Sequence, residues 1–276
     1  MNDNTKKKIE IFPYNPCWPE IFAVEAVKIK EALGKHCLEI HHIGSTSIPN
    51  MAAKQDIDIL LIVDHLNNAL KLQDINYIFR GEINIPLRYY FKKNTEFAKV
   101  NLHACEADHG FIKLNLTFRD FLRANDKEAR EYQELKYQII KSPDAHSKVG
   151  EMISVYGTRK NSFIKSILKK AGYNDFMINF CIHQEEWDKY HQIKEEMLFQ
   201  PKGVKYDKNY PAINSKNDYH FCMYKGFDIV AIAHVCLLPN NQAKVKSCIA
   251  DKLFENQDLE TRLQNFIVKW LGHADI

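Results

Sequence analysis

The chain has 276 residues, of which 45% are hydrophobic, 12% aromatic and 26% charged, a composition that supports one large or two small packed domains and excludes a disordered tail, a collagen-like repeat or a coiled coil. Lys and Arg number 38 against 35 Asp and Glu, a net charge of +3, too even a balance to make nucleic acid or a membrane surface an obligatory partner. Seven scattered cysteines without a C-x-x-C pair exclude a disulfide framework and a zinc knuckle, and they suit a reducing cytoplasm.

Residues 1–10 are polar and lysine-rich, with no apolar core of signal-peptide length and no membrane-length apolar run later, so a cytoplasmic protein without a membrane partner is expected. After Pro13, Pro16 and Pro19, Phe22, Ala26, Ile29 and Leu33 recur at helical spacing and Gly34 supplies a stop. Residues 38–43 read as a strand ending at Gly44 and 56–63 as a second strand, with a loop over 44–55. Shorter strands are expected at 77–79, 87–91, 99–105 and 111–118. Asn125 and Glu128 have capping-box spacing ahead of an apolar stripe of Ala129, Tyr132, Leu135 and Ile139. A further helical period runs through Val149, Met152, Ile153, Tyr156, Phe163, Ile164, Ile167 and Leu168 to Gly172, with Lys148, Lys160, Lys165 and Lys169 on its other positions. A boundary near 172–174 divides the chain into domains 1–173 and 174–276. Beyond it, a helix over 184–198, strands at 219–224, 229–238 and 243–250, and a last helix through Leu271 make a smaller α+β unit.

The chemistry is concentrated in His42-Ile43-Gly44-Ser45 followed, after ten residues, by Asp56-Ile57-Asp58-Ile59. Strand alternation puts Asp56 and Asp58 on one face, where two carboxylates repel unless they are solvated or neutralised by a divalent cation such as Mg²⁺. Gly44 lets the backbone of Ser45, Thr46 and Ser47 approach a phosphate, because no side chain blocks it. A nucleoside triphosphate with Mg²⁺ is the ligand those parts suit.

The joint pattern of Gly-Ser, a spacer of about ten residues and D-h-D-h resembles the signature of the polymerase-beta-type nucleotidyltransferase superfamily. Within it the chain resembles the GrpB family, on Tyr14-Asn15-Pro16-Cys17-Trp18-Pro19, His42-Ile43-Gly44-Ser45-Thr46-Ser47-Ile48-Pro49, Ala53-Lys54, Ile57-Asp58-Ile59, Leu102-His103, Phe118-Arg119-Asp120-Phe121-Leu122-Arg123 and the helix over 160–171. The resemblance covers residues 9–172 and implies an α/β nucleotidyltransferase fold, a mixed sheet with flanking helices. It implies Asp56 and Asp58 as metal-holding catalytic acids. Beside them His42, Gly44, Ser45, Thr46, Lys54, Arg119 and Arg123 are expected toward the nucleotide. Arg119 and Arg123, at helical i, i+4 spacing, form either a cationic wall for phosphates or a salt-bridged surface with Asp120 and Glu134. Lys54 is either a triphosphate contact or a solvated loop lysine, and His42 is either a site residue or a core histidine. The third acid usual in active members is missing. Its strand offers Asn101 or His103 instead, and His103 is the candidate third metal ligand.

Residues 176–276 resemble the N-terminal part of a GNAT-type acetyltransferase, an incomplete α+β unit. The turn that should cradle the coenzyme A pyrophosphate reads Gln257-Asp258-Leu259-Glu260-Thr261-Arg262, with Glu260 and Arg262 filling both small positions, so no coenzyme A is expected. The stripe Leu259, Leu263, Phe266, Ile267 and Trp270 is expected to need cover from the first domain or from self-association with a second copy. The expected function is nucleotidyl transfer from a Mg²⁺-bound triphosphate to an unidentified acceptor. Two alternatives stand beside it: an inactive nucleotide-binding or protein-interaction protein, and an acyl-coenzyme A-dependent N-acetyltransferase.

Overall fold

A computed structural model describes residues 9–149, 153–209, 215–254 and 258–273. The chain falls into two units, one of residues 1–81 with 89–173 and one of residues 82–88 with 174–276.

The first unit opens with α1 (Trp18–Leu33), whose inner face buries Trp18, Ala26, Ile29 and Leu33. Gly34, at φ +54°, stops it and returns its N–H to the Lys30 carbonyl. A mixed sheet follows, built from β1 (Cys37–Ile43), β2 (Asp56–Val63), β3 (Ile78–Phe79), β4 (Tyr89–Asn94) and β5 (Lys99–Glu106) in the order β1-β2-β5-β4-β3. Only the β2–β5 pair is parallel; the others are antiparallel. In β2 the alternation lasts four residues: Ile57 and Ile59 are fully buried while Asp56 and Asp58 are part-exposed, and from Leu60 onward both faces are covered.

A helix packs on one face of this sheet. Residues 111–118, expected as a strand, lie inside α2 (Gly110–Ala124), because Phe111, Ile112 and Leu116 make a helical set that packs on Ile43, Leu60 and Cys105. The expected capping box does not form at the start of α3 (Asp126–Ile140). The Asn125 amide turns back to the Phe121 carbonyl (2.7 Å) and Glu128 pairs with Lys170 (2.9 Å). The helical period expected from Val149 is broken into β6 (Lys148–Val149), β7 (Ile153–Ser154), α4 (Val155–Thr158) and α5 (Asn161–Lys170); Met152 lies outside the described residues. Tyr132, Ile167 and Leu122 bind α2, α3 and α5 into one cluster with Ile48 and Met51.

The second unit is an antiparallel sheet of β8 (Phe176–Phe180), β9 (Asp218–Lys225), β10 (Asp228–Leu238) and β11 (Gln242–Ala250), in the order β11-β10-β9-β8. α6 (Gln184–Lys194) packs Tyr190 and Ile193 onto Cys222 and Ile232. Sequence reading passed over β8, a short apolar run with no alternation to mark it. α7 (Leu259–His273) packs on the β10 and β11 strands of its own unit. Leu259, Leu263, Ile267 and Trp270 are buried, and the Trp270 ring stands against Phe180, Tyr219 and Phe221 of its own sheet. Residues 82–88 belong here because Glu82 accepts the Trp270 indole N–H (2.9 Å) and the Asn84 carbonyl accepts the Phe180 N–H (3.1 Å).

Candidate functional site

At the end of β1 the chain turns through Gly44 with φ +70° and ψ −175°, a conformation that residues bearing a Cβ rarely adopt. Space demands glycine as well: a Cβ here would overlap Asp58 Oδ2 and stand 2.9 Å from its Cγ. The loop backbone therefore lies directly against the carboxylate. Ser47 closes the turn, with its N–H (3.2 Å) and hydroxyl (2.6 Å) both donated to the Gly44 carbonyl.

Arg119 and Arg123 stand one helical turn apart on α2 and brace this loop through its carbonyls. Arg119 donates to the His42 carbonyl (3.1 Å) and grips Asp120 through two bonds (2.7 and 3.1 Å). Arg123 donates twice to the Ser47 carbonyl (3.0 and 2.7 Å). One bond from Arg119 and two from Arg123 go to backbone carbonyls, and the rest of the Arg119 fork goes to Asp120, so both arginines position the loop. Arg123→Met is expected to speed amide exchange at Ser47 and Ile48 by about tenfold or more, because a charge-assisted pair of bonds is lost. Unchanged exchange at those amides would show that the brace is idle.

His42 stacks on Phe22 with ring centroids 4.8 Å apart. Thr46 Oγ1 spends its one proton on the Asp56 carbonyl (3.1 Å), so His42 Nε2 is the donor in the bond to Thr46 (3.0 Å). Burial, followed by the charges of Arg123 and Arg119, pushes His42 down to about 4, and it is neutral at physiological pH. His42 is a strut between strand and loop.

The parallel register of β2 and β5 sets Asp58 beside Asn101 and Leu60 beside His103. Asn101 Nδ2 donates to Asp58 Oδ1 (3.0 Å), and the Tyr90 hydroxyl donates to Asn101 Oδ1 (2.8 Å). Those two bonds fix which way the amide faces: its NH₂ occupies the position where a third carboxylate was sought. His103 stacks on Tyr90 (5.0 Å) and leans on Phe111 (5.1 Å). Burial pushes Asp58 up to about 6; the Asn101 bond opposes this, Asp56 adds to it, and Lys54 and Lys160 oppose it. Asp56 pairs with Lys54 at 3.1 Å.

A cavity of about 340 Å³ opens on these groups. It gathers Gly44, Ser45, Thr46, Lys54, Asp56, Asp58 and Asn101 with Phe118, Tyr132, Tyr156 and Lys160, whereas His42, His103, Arg119 and Arg123 are not in its lining. Lys160, Tyr132 and Tyr156 were absent from the sequence-derived site. Their signal was faint: Tyr156 and Lys160 are four residues apart, and the lysine reads as one of several on a solvated helix. Burial, with Lys54 adding and Asp58 opposing, pushes Lys160 down to about 8. Lys136 is fully buried, donates to the Ala52 carbonyl and lies 4.8 Å over the Tyr132 ring, while Gln133 accepts the Ala52 N–H (2.6 Å). Burial, with Lys160 next, takes Lys136 down to about 7.

Hard oxygen donors on one strand face, one of them a carboxylate whose ionisation burial resists, are a donor set that fits Mg²⁺, which needs only one or two carboxylates beside phosphates and water. Asn101 turns its NH₂ and not its oxygen toward Asp58.

The GrpB protein family profile matches residues 8–170, more than half of the chain. The UPF0157 protein YqkA of Bacillus subtilis is 37% identical over 171 residues, which make up 60% of this chain and 48% of that protein; the chain thus spans about half the length of this relative. The crystal structure of conserved protein GrpB from Enterococcus faecalis aligns over 59% of this chain and 96% of its own, with 34% identity and a TM-score of 0.50. The ribosomal-protein-S18-alanine N-acetyltransferase of Escherichia coli aligns over 36% of this chain and 61% of its own at 13% identity and a TM-score of 0.31, a likeness that carries no functional implication. No helix among the described residues is long and apolar enough to cross a membrane. The profile match across the Gly44 loop, the two aspartates and the helices behind them shows that the chain belongs to the GrpB family.

Proposed function

We propose that the Asp56–Asp58 cavity binds a nucleoside triphosphate with Mg²⁺ and transfers its nucleotidyl group to an acceptor, a reading that goes with placement in the nucleotidyltransferase superfamily. One observation supports it above the others: the Gly44 backbone lies against a half-buried carboxylate that shares a strand face with a second one. Asp56 and Asp58 would hold the cation, which supplies Lewis-acid polarisation and neutralises charge on the phosphates. Backbone N–H groups and hydroxyls of Ser45 and Thr46 would orient the triphosphate, and Tyr132 and Tyr156 offer aromatic walls. In the transfer, an acceptor oxygen bonds to the α-phosphorus, the bond to the bridging oxygen of the β-phosphate breaks, and pyrophosphate leaves. The acceptor's proton passes to water, because Asn101 is a donor and the two carboxylates would be committed to the cation. Incubation of the full chain with each α-labelled triphosphate and Mg²⁺ should yield pyrophosphate and a labelled acceptor or labelled protein. Release equal in wild type and Asp56→Asn would refute transfer at this site.

A second reading, nucleotide binding without turnover, draws on Asn101. Asn101→Asp separates the two. It replaces a hydrogen-bond donor by a like charge, so the cation-free protein should lose about 1–3 kcal/mol while divalent cations bind more tightly. Thermal melts with and without Mn²⁺ read both effects. If turnover appears only in this variant, the wild-type protein is a binder. An unchanged melt would show that Asn101 does not bear on the carboxylates.

The acetyltransferase alternative meets a carboxylate. Glu260 lies in the first turn of α7 and accepts the Ala250 N–H (2.9 Å), while the Arg262 guanidinium covers the Phe176 ring at 4.4 Å. Gln257 lies outside the described residues. Negative charge at a helix N-terminus opposes a pyrophosphate there. Acetyl-coenzyme A is expected to leave thermal unfolding of the full chain unchanged, and a clear shift at micromolar coenzyme would contradict this.

A further inference from the structure

The cavity holds two carboxylates and two ammonium groups, and each acid has a basic neighbour. Lys54 Nζ is 3.1 Å from Asp56 Oδ2, and the Lys160 ammonium interacts electrostatically with Asp58. Both ammonium groups also sit by one ring: Lys54 Nζ is 5.8 Å and Lys160 Nζ 4.5 Å from the Tyr156 centroid. The four side chains and the Tyr156 ring line the same cavity as Gly44.

That arrangement has a sign problem for any single ion. A bare dication reaching the carboxylates meets two positive charges, one of them already paired with Asp56. A bare polyphosphate reaching the lysines meets two negative ones. A dication and a polyphosphate arriving together meet no such conflict, since each takes the partner the other releases. The Tyr156 ring lets the exchange happen in place, because an ammonium that leaves its carboxylate keeps a cation–π contact and need not swing into water.

We infer that Lys54 and Lys160 are the resident counter-ions of Asp56 and Asp58, displaced by a divalent cation and then used to hold the phosphates that come with it. The inference rests on the cation reading above and adds to it a phosphate-holding residue, Lys160, and a rule of joint binding. The ligand class is a di- or triphosphate carried by a divalent cation.

The rule predicts opposite effects from one substitution. In Lys160→Met and Lys54→Met, bare Mn²⁺, followed by the loss of its free paramagnetic signal, should bind about three- to tenfold more tightly, because a competing charge has gone. The Mn²⁺ complex of inorganic tripolyphosphate, followed by calorimetry, should bind about tenfold more weakly to the same variants, because a charge-assisted contact has gone. Lys160→Arg keeps the charge and should restore tight binding of the complex. Lys54 is exposed, so Lys54→Met keeps the test open even if the Lys160 variant folds poorly. If both probes weaken together, or if bare Mn²⁺ binds equally in wild type and variants, the counter-ion role is overturned while the carboxylate site stands. If neither wild type nor any lysine variant holds Mn²⁺, the carboxylate site falls and this inference with it.

Discussion

Replacing Gly44 by alanine is expected to lower the stability of the chain by about 3 kcal/mol or more and to abolish cation and nucleotide binding. Two costs add. Alanine rarely adopts φ +70° with ψ −175°, and its Cβ would overlap Asp58 Oδ2. Asp58 cannot step aside cheaply, because Asn101 holds it at 3.0 Å and β2 is paired on both edges. Gly34→Ala supplies the control. Gly34 also has a positive φ, but a Cβ there meets nothing within 4 Å, so it carries the backbone cost without the overlap. Denaturant midpoints of the two variants measure the overlap by difference. Adding Asp58→Ala to Gly44→Ala should recover part of the loss, as coupled neighbours do. Equal midpoints for the two glycine variants would show that the loop is not pressed on the carboxylate.

Asp58→Asn is expected to stabilise the cation-free protein by about 2–3 kcal/mol at neutral pH while removing Mg²⁺-dependent nucleotide binding. Burial raises Asp58 from its ordinary 3.8 to about 6, so the folded protein holds this proton more tightly than the unfolded chain. The destabilisation is fully present above pH 6, is relieved as pH falls from 6 toward 4, and is gone below that. The advantage of asparagine should fade over the same window. His42 moves the other way: burial lowers it from 6.5 to about 4, so its contribution is lost as pH falls through that range. Both proteins keep His42, and their difference isolates Asp58. Chemical denaturation at pH 8, 6 and 4 reads the trend, and an asparagine variant less stable than wild type at pH 8 would show that the carboxylate is not strained by burial.

The strand carrying Asp56 and Asp58 was legible because its first four residues alternate, polar against apolar, before both faces become buried. Gly44 was legible as a turn, but its reason was not: the contact that forbids a side chain is with a residue fourteen positions on, and no local pattern records it. The phosphate wall read into Arg119 and Arg123 rested on charge and spacing, which are the same whether a guanidinium faces a ligand or a carbonyl. Their partners, the His42 and Ser47 carbonyls, are backbone atoms with no sequence signature. Lys160 was hidden for the complementary reason, since a lysine among lysines reads as solvated surface until the break between α4 and α5 turns it toward the cavity. The strand expected over 111–118 failed because Ile112, Leu114, Leu116 and Phe118 alternate as a strand does while Phe111, Ile112 and Leu116 also share a helical face, and packing against the sheet selected the helix. Asn125 was rightly placed at a helix junction, but its side chain closes the helix before it rather than opening the one after.

The central claim is that Asp56 and Asp58 hold a divalent cation against the phosphates of a nucleotide lying on the Gly44 loop. Titration calorimetry of the full chain with a non-hydrolysable triphosphate, with Mg²⁺ and with excess chelator, on wild type and Asp58→Asn, tests it most directly. The account predicts binding to wild type that disappears with chelator and in the variant. Equal affinity in the variant, or binding indifferent to Mg²⁺, would contradict it.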